Sequence, residues 1–355
     1  MLTLRHLSCA RIASAGALLL AVGTAAADDP AANVAAARAP QSKWTGPTTS
    51  AKPEPGKSIY VITCASQGIG CVRAAKGVEE AGAALGWQVR TIDGRGDPAT
   101  WNSAILSAVA AKASGIVLAA VPPMLVGDAL QQAAAAKLPV VSVFNPLPGK
   151  QDSVFAYVRP DHVAQGKLAA DWVAVNSGGK AKIILVEDRI FPELVERTTG
   201  FRQAIKGCSG CEIVETVDST IATMAQRLPG AIAAALSRHP ETTYVIAPFD
   251  SNGFFANEGV RQAGRIGEVK VGSYEGDPQT VAAIRDGQYA MTIADPAEWM
   301  GWQATDELLR AFANAAPSNV LVSWKLIERD NAPNTPGWFG DVDFRAEYKH
   351  LWGVK

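Results

Sequence analysis

The chain has 355 residues, 48% of them hydrophobic, and 33 basic against 34 acidic side chains leave a formal charge of −1. Nothing in that balance suggests a nucleic-acid or anionic-membrane partner. The length exceeds one ordinary core and calls for two lobes.

The first elements are read from the amino terminus. Arg5 and Arg11 come before the apolar run 12–22, and Ala25-Ala26-Ala27 precedes Asp28. A basic start, a short apolar stretch and a small-residue cleavage site make a secretory signal peptide over 1–27. The apolar run is too short to span a bilayer, which takes about 20 residues. Cys9 lies before that run and is badly placed for a lipoprotein cysteine. The mature chain is therefore expected to be exported and soluble, in an oxidising compartment. Its formal charge becomes −3, because residues 1–27 carry two arginines and no acid.

Residues 28–56, rich in Ala, Pro, Ser and Thr, show no helical or strand period and read as an extended leader. Trp44 in "SKWTGPTT" is expected to pin this leader to the body. From Lys57 onward strands and helices alternate. "SIYVITC" is a strand and 68–86 a helix; "WQVRTID" is a strand and "DPATWNSAILSAVAAKA" a helix. "GIVLAAV", the helix "PMLVGDALQQAAAAK" and the strand "LPVVSVFN" close the first unit.

The pattern then restarts after "VFAYVRPD". The helix "HVAQGKLAADWVAVN" leads into "AKIILVED", "PELVERTTGFRQAIK" and "EIVETVD". Next come "TMAQRLPGAIAAALSRH", where Pro229 should kink the helix, and "TTYVIAPFD". "SNGFFANEGVRQAG", "EVKVGSYEG", "DPQTVAAIRDG" and "YAMTIAD" follow, and "PAEWMGWQATDELLRAFANA" is a long last helix. Short apolar strands separated by helices mean parallel sheets covered on both faces, so the fold class is α/β with two doubly wound lobes.

The turn "VITCASQGIGC" resembles the TGxxxGxG turn of short-chain dehydrogenases, whose glycines let backbone amides approach a pyrophosphate. Such enzymes need a tyrosine with a lysine four residues later to lower the phenol pKa. No tyrosine here has that partner. Export also removes the chain from the nicotinamide pool, so no cofactor is expected. His162, His239 and His350 are isolated, with no nucleophile–base pair and no metal spacing around them. Neither catalysis nor a metal is expected.

Four cysteines remain after the signal: Cys64, Cys71, Cys208 and Cys211. In an exported chain an even count suggests disulfides. Cys208 and Cys211 in "GCSGC" would close a tight loop, and Cys64 and Cys71 in "CASQGIGC" a slightly larger one. Buried free thiols and a zinc site remain the alternatives.

Over some 260 residues the order and spacing of several segments resemble the sugar-type (type I, ribose/galactose-like) periplasmic binding proteins of ABC transporters. They include "GVEEAGAALGWQVRTIDGRGDPATWNSAI", "AAAAKLPVVSVFN", "VRPDHVAQGKLAADW", "VERTTGFRQAI", "VGSYEGDPQTVAAIRDGQYAMTIAD" and "YKHLWGV". The resemblance implies two Rossmann-like lobes joined by a three-strand hinge, with crossings near 156–159, 293–296 and 319–323. It divides the chain into 57–158 plus 296–318 and 159–295 plus 319–355. It further implies a monomer in the periplasm that binds a small molecule between its lobes and passes it to an ABC permease.

Carried over to this chain, the family's cleft loops give Ser66, Gln67, Phe144 and Asn145 on the first lobe. On the second they give Arg159, Asp161, Phe191, Arg197, Phe249, Asp250, Tyr274, Glu275, Asp295 and Trp299. Asp161 is equally a helix cap, Arg197 matches the more structural of two family arginines, and Phe191 and Trp299 suit cleft-wall packing. The departures point one way. Small residues Gly70 and Cys71 stand where sugar binders place aromatic stackers. Val195 replaces the sugar-clamping arginine, Asn145-Pro146 an Asp-Arg pair, and Phe249 a ribose-type Asn. Such a pocket is expected to prefer a ligand with fewer hydroxyls than a pyranose. A sensor of the same fold, reporting to a chemoreceptor or kinase, is the alternative role, and an exported enzyme the third.

Overall fold

The computed structural model describes residues 29–149 and 153–355, so the signal expected over 1–27 lies outside the described residues. The leader departs from expectation at once, because Pro30–Arg38 form a helix, α1. Asp29 caps it by accepting from the Ala31 N–H at 3.0 Å, Pro30 occupies the first helical turn, and five alanines between Ala31 and Ala37 favour the conformation. Only Val34 of this helix is buried, which is why no apolar stripe betrayed it.

The first lobe is a parallel sheet of five strands in the order β2-β1-β3-β4-β5. In chain order its elements are β1 (Ser58–Thr63), α2 (Ile69–Ala84), β2 (Gln88–Asp93), α3 (Pro98–Ala110), β3 (Gly115–Ala119), α4 (Gly127–Ala135), β4 (Val140–Val143) and β5 (Ala156–Val158). β1, β3 and β4 are buried almost throughout, as apolar strands with helices on both faces must be. The edge strand β2 is largely exposed.

The chain crosses after β5, and the second lobe begins with α5 (His162–Asn176), β6 (Lys182–Glu187), α6 (Pro192–Ala204) and β7 (Glu212–Asp218). It continues through α7 (Met224–Arg238), β8 (Tyr244–Ile246), α8 (Asp250–Gln262), β9 (Lys270–Glu275), α9 (Pro278–Arg285) and β10 (Met291–Ala294). Pro229 lies inside α7, which continues past it. After β10 the chain returns to the first lobe as α10 (Ala297–Phe312), which packs along α2. The contact is backbone-close: a Cβ on Gly77 would lie 2.1 Å from the Glu298 carbonyl oxygen. A third passage follows, where the Val322 N–H donates to the Arg159 carbonyl at 3.1 Å. β11 (Lys325–Ile327) then adds an antiparallel edge to the second sheet, whose order is β11-β10-β9-β8-β6-β7.

The carboxyl end does not stay with the second lobe. α11 (Phe344–Trp352) lies on α10, with Trp302 and Trp352 stacked at 5.3 Å and the Trp352 indole donating to Asp306 at 2.9 Å. Arg345 pairs with Glu80 of α2 at 2.7 Å.

The leader joins both lobes. On the second-lobe side, Asn33 donates to Asp171 of α5 at 2.8 Å and Arg38 pairs with Glu328 at 3.3 Å. On the other side, Trp44 stacks on Trp299 at 5.1 Å and meets Tyr348 edge-on at 5.3 Å, the anchoring expected of it. Thr49 and Ser50 then bond Arg310 and Asp306 of α10. Both cysteine pairs are disulfides, Cys64–Cys71 and Cys208–Cys211. Trp44→Ala removes a half-buried stacking partner and is expected to lower stability by about 1–3 kcal/mol. Chemical denaturation measures it, and a loss below about 0.5 kcal/mol, the level of an ordinary surface change, would show that the leader merely rests on the body.

Candidate functional site

The carboxyl ends of the strands in both sheets face each other, which is where open α/β sheets bind ligands. A small, partly open cavity lies between them. The first lobe supplies Cys64, Gly68, Cys71 and Ala120; the second supplies Phe191, Glu193, Leu194, Ile221, Phe249 and Glu275. Its volume is about 20 Å³, room for roughly one water. Anything larger enters only if the lobes part or the walls move.

The wall on the first lobe is built by the turn after β1. Gly68 caps α2 without a side chain, and the Cys64–Cys71 disulfide ties the strand end to the first turn of the helix. Trp101 of α3 donates its indole N–H to the Cys64 carbonyl at 2.9 Å and meets Phe191 across the cleft, ring centres 6.2 Å apart. Glu275 closes the other side. A Cβ on Gly70 would sit 2.4 Å from the Glu275 Oε2, so only glycine lets the carboxylate come so near the helix start.

Two fully buried arginines organise the charges. Arg197 donates to Glu275 Oε1 at 3.2 Å, to Asp295 at 2.9 Å, to the Pro248 carbonyl at 3.0 Å and to Gln165 at 3.2 Å. Its guanidinium also lies 5.1 Å from the ring centre of Tyr274. Arg73 of α2 reaches across the lobes. It donates to Glu298 at 2.8 Å within its own lobe, and to the Glu275 and Gly276 carbonyls and Asp277 at 3.1, 3.2 and 3.4 Å in the other.

These two cations face more acids than they neutralise. Burial pushes Glu193 up to about 7, against a backbone hydrogen bond and the charge of Arg197, and its Oε2 has no partner. Burial likewise raises Asp188 to about 6. Glu275, Asp250, Asp277 and Asp295 are all raised, with burial the first cause in each. His162 is pushed down to about 3 by burial and then by Arg197; it donates from Nε2 to the Phe144 carbonyl at 2.5 Å, tying α5 to the end of β4.

The residues expected at the site divide into groups. Phe191, Phe249 and Glu275 line the cavity. Arg197, Asp295 and Tyr274 lie beneath it, engaged with one another or with Glu275. Asp250 is turned inward, bonding Ser273, Thr292 and the Asp277 N–H, so it ties α8 to β9 and β10 instead of orienting a ligand. Asp161 caps α5 by accepting from the Ala164 N–H. Arg159 sits at the first crossing, its guanidinium on the Pro160 carbonyl. Phe144 is buried with a φ of 74°, presenting its carbonyl to His162. Asn145 lines a separate open groove of about 630 Å³ beside Pro123, Leu147 and Pro192. Ser66 and Gln67 are exposed. Trp299 is packed between Trp44 and Phe344, away from the cavity, because the leader and α11 cover that face of α10.

Sequence reasoning missed Glu193, although a signal existed: it stands four residues before Arg197 on one helix and so shares its face. Ile221, Leu194 and Ala120 were also missed, since an apolar wall residue looks like any core residue. Among the described residues no group of His, Cys, Asp or Glu has metal-binding geometry, and no helix is long and apolar enough to cross a membrane.

A family model described as a periplasmic binding protein domain matches residues 59–315. The chain is 25% identical over 220 residues to the ribose import binding protein RbsB of Escherichia coli K12, covering 61% of this chain and 72% of that one. It is 24% identical over 236 residues to the RbsB of Bacillus subtilis 168, covering 65% and 73%. Among solved structures, an ABC transporter solute-binding protein of Burkholderia graminis in complex with D-arabinose superposes with a TM-score of 0.73 at 17% identity, over 80% and 99% of the two chains. One of Actinobacillus succinogenes with bound D-allose gives 0.71 at 18%, over 79% and 100%.

The raised carboxyls set a pH dependence. Glu193 and Asp188 keep their protons in the fold up to about pH 7 and 6, whereas an unfolded chain releases them near 4. Their contribution is fully present below the unfolded value and is lost as pH rises through 6–7. His162, whose pKa is depressed, acts oppositely, but it is one group against six raised carboxyls in and around the cleft. The melting temperature is therefore expected to fall between pH 5.5 and 7.5. A rise over that interval, measured by calorimetry, would contradict the charge arrangement described.

Proposed function

The chain belongs to the periplasmic binding protein family, and on that footing we propose that it captures a small solute between its lobes and delivers it to an ABC importer in the inner membrane. The mature protein works in the periplasm, without a cofactor, as a monomer that closes on its ligand and releases it unchanged. The observation that carries this reading is the position of the cavity. It lies at the strand ends of both sheets, walled by residues from each lobe, so that closure and binding are one event.

The relatives named for ribose suggest a sugar-sized cargo, but the lining here favours a compact molecule with fewer hydroxyls. Four of the six second-lobe residues on the cavity, Phe191, Leu194, Ile221 and Phe249, are apolar, and no arginine lines it. Arg197, the guanidinium beneath it, already serves Glu275, Asp295 and two further acceptors. A sugar's hydroxyls would be left facing apolar walls, and each unpaired buried polar group costs about 1–3 kcal/mol.

Calorimetry and small-angle scattering test the proposal together. A compact ligand from a screen of less hydroxylated solutes is expected to bind more tightly than ribose or glucose, to shrink the radius of gyration and to be recovered unaltered. Phe249→Ala is expected to weaken that ligand about 5- to 150-fold, the equivalent of roughly 1–3 kcal/mol. Tight ribose or glucose binding that survives Phe249→Ala would show that an ordinary sugar site is built from other residues.

A further inference from the structure

Glu193 brings an unpartnered carboxyl oxygen to the wall of the cleft. It is 3% exposed, lines the interlobe cavity, and its Oε2 has no hydrogen-bond partner. Across the same cavity stands Glu275, with Oε1 on Arg197 and Oε2 toward Gly70. The rest of the wall is apolar, and the rings of Phe191 and Phe249 belong to it. A carboxylate in apolar surroundings is costly unless a cation or a donor reaches it. The nearby cations are spent: Arg197 has four acceptors, and Arg73 faces Glu298, Asp277 and three carbonyls.

From this placement we infer that the cleft is built for a small organic ammonium ion, with its N–H donors on Glu193 Oε2 and its apolar body against Phe249 and Phe191. The inference rests on the solute-binding reading above and narrows its ligand class. Three features converge on it. The unpartnered oxygen asks for a donor, which a quaternary ammonium lacks and a primary or secondary one has. Two acids and no free cation on the lining leave a positive charge as the natural partner for Glu193 once it ionises. Aromatic faces attract cations most strongly where water is excluded. A neutral alcohol could satisfy the oxygen but would not compensate the charge of the ionised carboxylate.

The groups facing Glu193 are Arg197 and Glu196 on its own helix, Asp188 at the end of β6, and Glu275 from β9; the first-lobe wall brings none. Ammonium binding needs Glu193 ionised, so affinity is expected to rise from pH 6 to pH 8.

The experiment is calorimetry on the mature, oxidised protein with propylammonium and cyclohexylammonium, set against propan-1-ol and cyclohexanol of the same shapes. The amines are expected to bind and the alcohols to bind at least roughly tenfold more weakly. Glu193→Gln, nearly isosteric, is expected to weaken the amines about 10- to 150-fold, as for a lost hydrogen bond to a charged group. Glu347→Gln, exposed on α11, is expected to leave them unchanged, and thermal melts of both variants establish that they fold. Alcohols binding as well as amines, amine binding indifferent to Glu193→Gln, or no amine binding at millimolar concentration would each overturn the inference. A neutral solute that binds and closes the lobes while amines do not would overturn it and leave the solute-binding proposal standing; silence from a broad solute screen as well would sink both.

Discussion

Arg73 is the side chain on which the closed arrangement depends. It is buried on α2, yet most of its acceptors are elsewhere: Glu298 on α10, two carbonyls and Asp277 at the end of β9, and the Trp338 carbonyl in the returning carboxyl segment. A guanidinium presents five donors in a rigid fork, so one residue can join three separate stretches of chain. Glu298 and Asp277 hold it charged, well above the usual arginine range even against burial. The price of that arrangement is that Asp277 and Glu298 become buried charges with a single common partner.

The cleft follows from this constraint. With β9 drawn to the start of α2, Glu275 is pressed against Gly70, and Arg197 holds the far oxygen of the same carboxylate. Glu193 lies beside this pair without joining it. The leader and α11 bear on the same closure from the outer face: α1 is fixed to α5 in one lobe, while Trp44 is wedged between Trp299 and Tyr348 on the other. The outer strap and the interlobe arginine thus each bridge the two lobes that wall the cavity.

The two-lobed α/β fold was legible because strand and helix periods alternate cleanly, and parallel β1, β3 and β4 are apolar runs. α1 was not, since a helix that buries only Val34 has no periodic stripe to read. Phe191, Phe249 and Glu275 could be placed because they lie at or just beyond the ends of β6, β8 and β9, where the chain must emerge at the cleft. Trp299 and Asp250 follow strands as well, but their side chains turn toward partners that sequence spacing does not reveal: a leader some 250 residues away and a hydroxyl cluster on two other strands. Glu193 and Arg73 escaped notice for a related reason. Each looks like a solvated helix charge until the tertiary fold buries it.

The central claim, that two lobes are held shut over this cavity by a charged side chain and can part, is tested most directly by small-angle scattering of Arg73→Gln beside the wild type. Removing the guanidinium leaves Asp277 and Glu298 buried without their cation, a loss of about 3–5 kcal/mol that lobe opening relieves by returning Asp277 to water. The account predicts a larger radius of gyration for the variant with unchanged helical circular dichroism. An identical radius in a folded variant would contradict it.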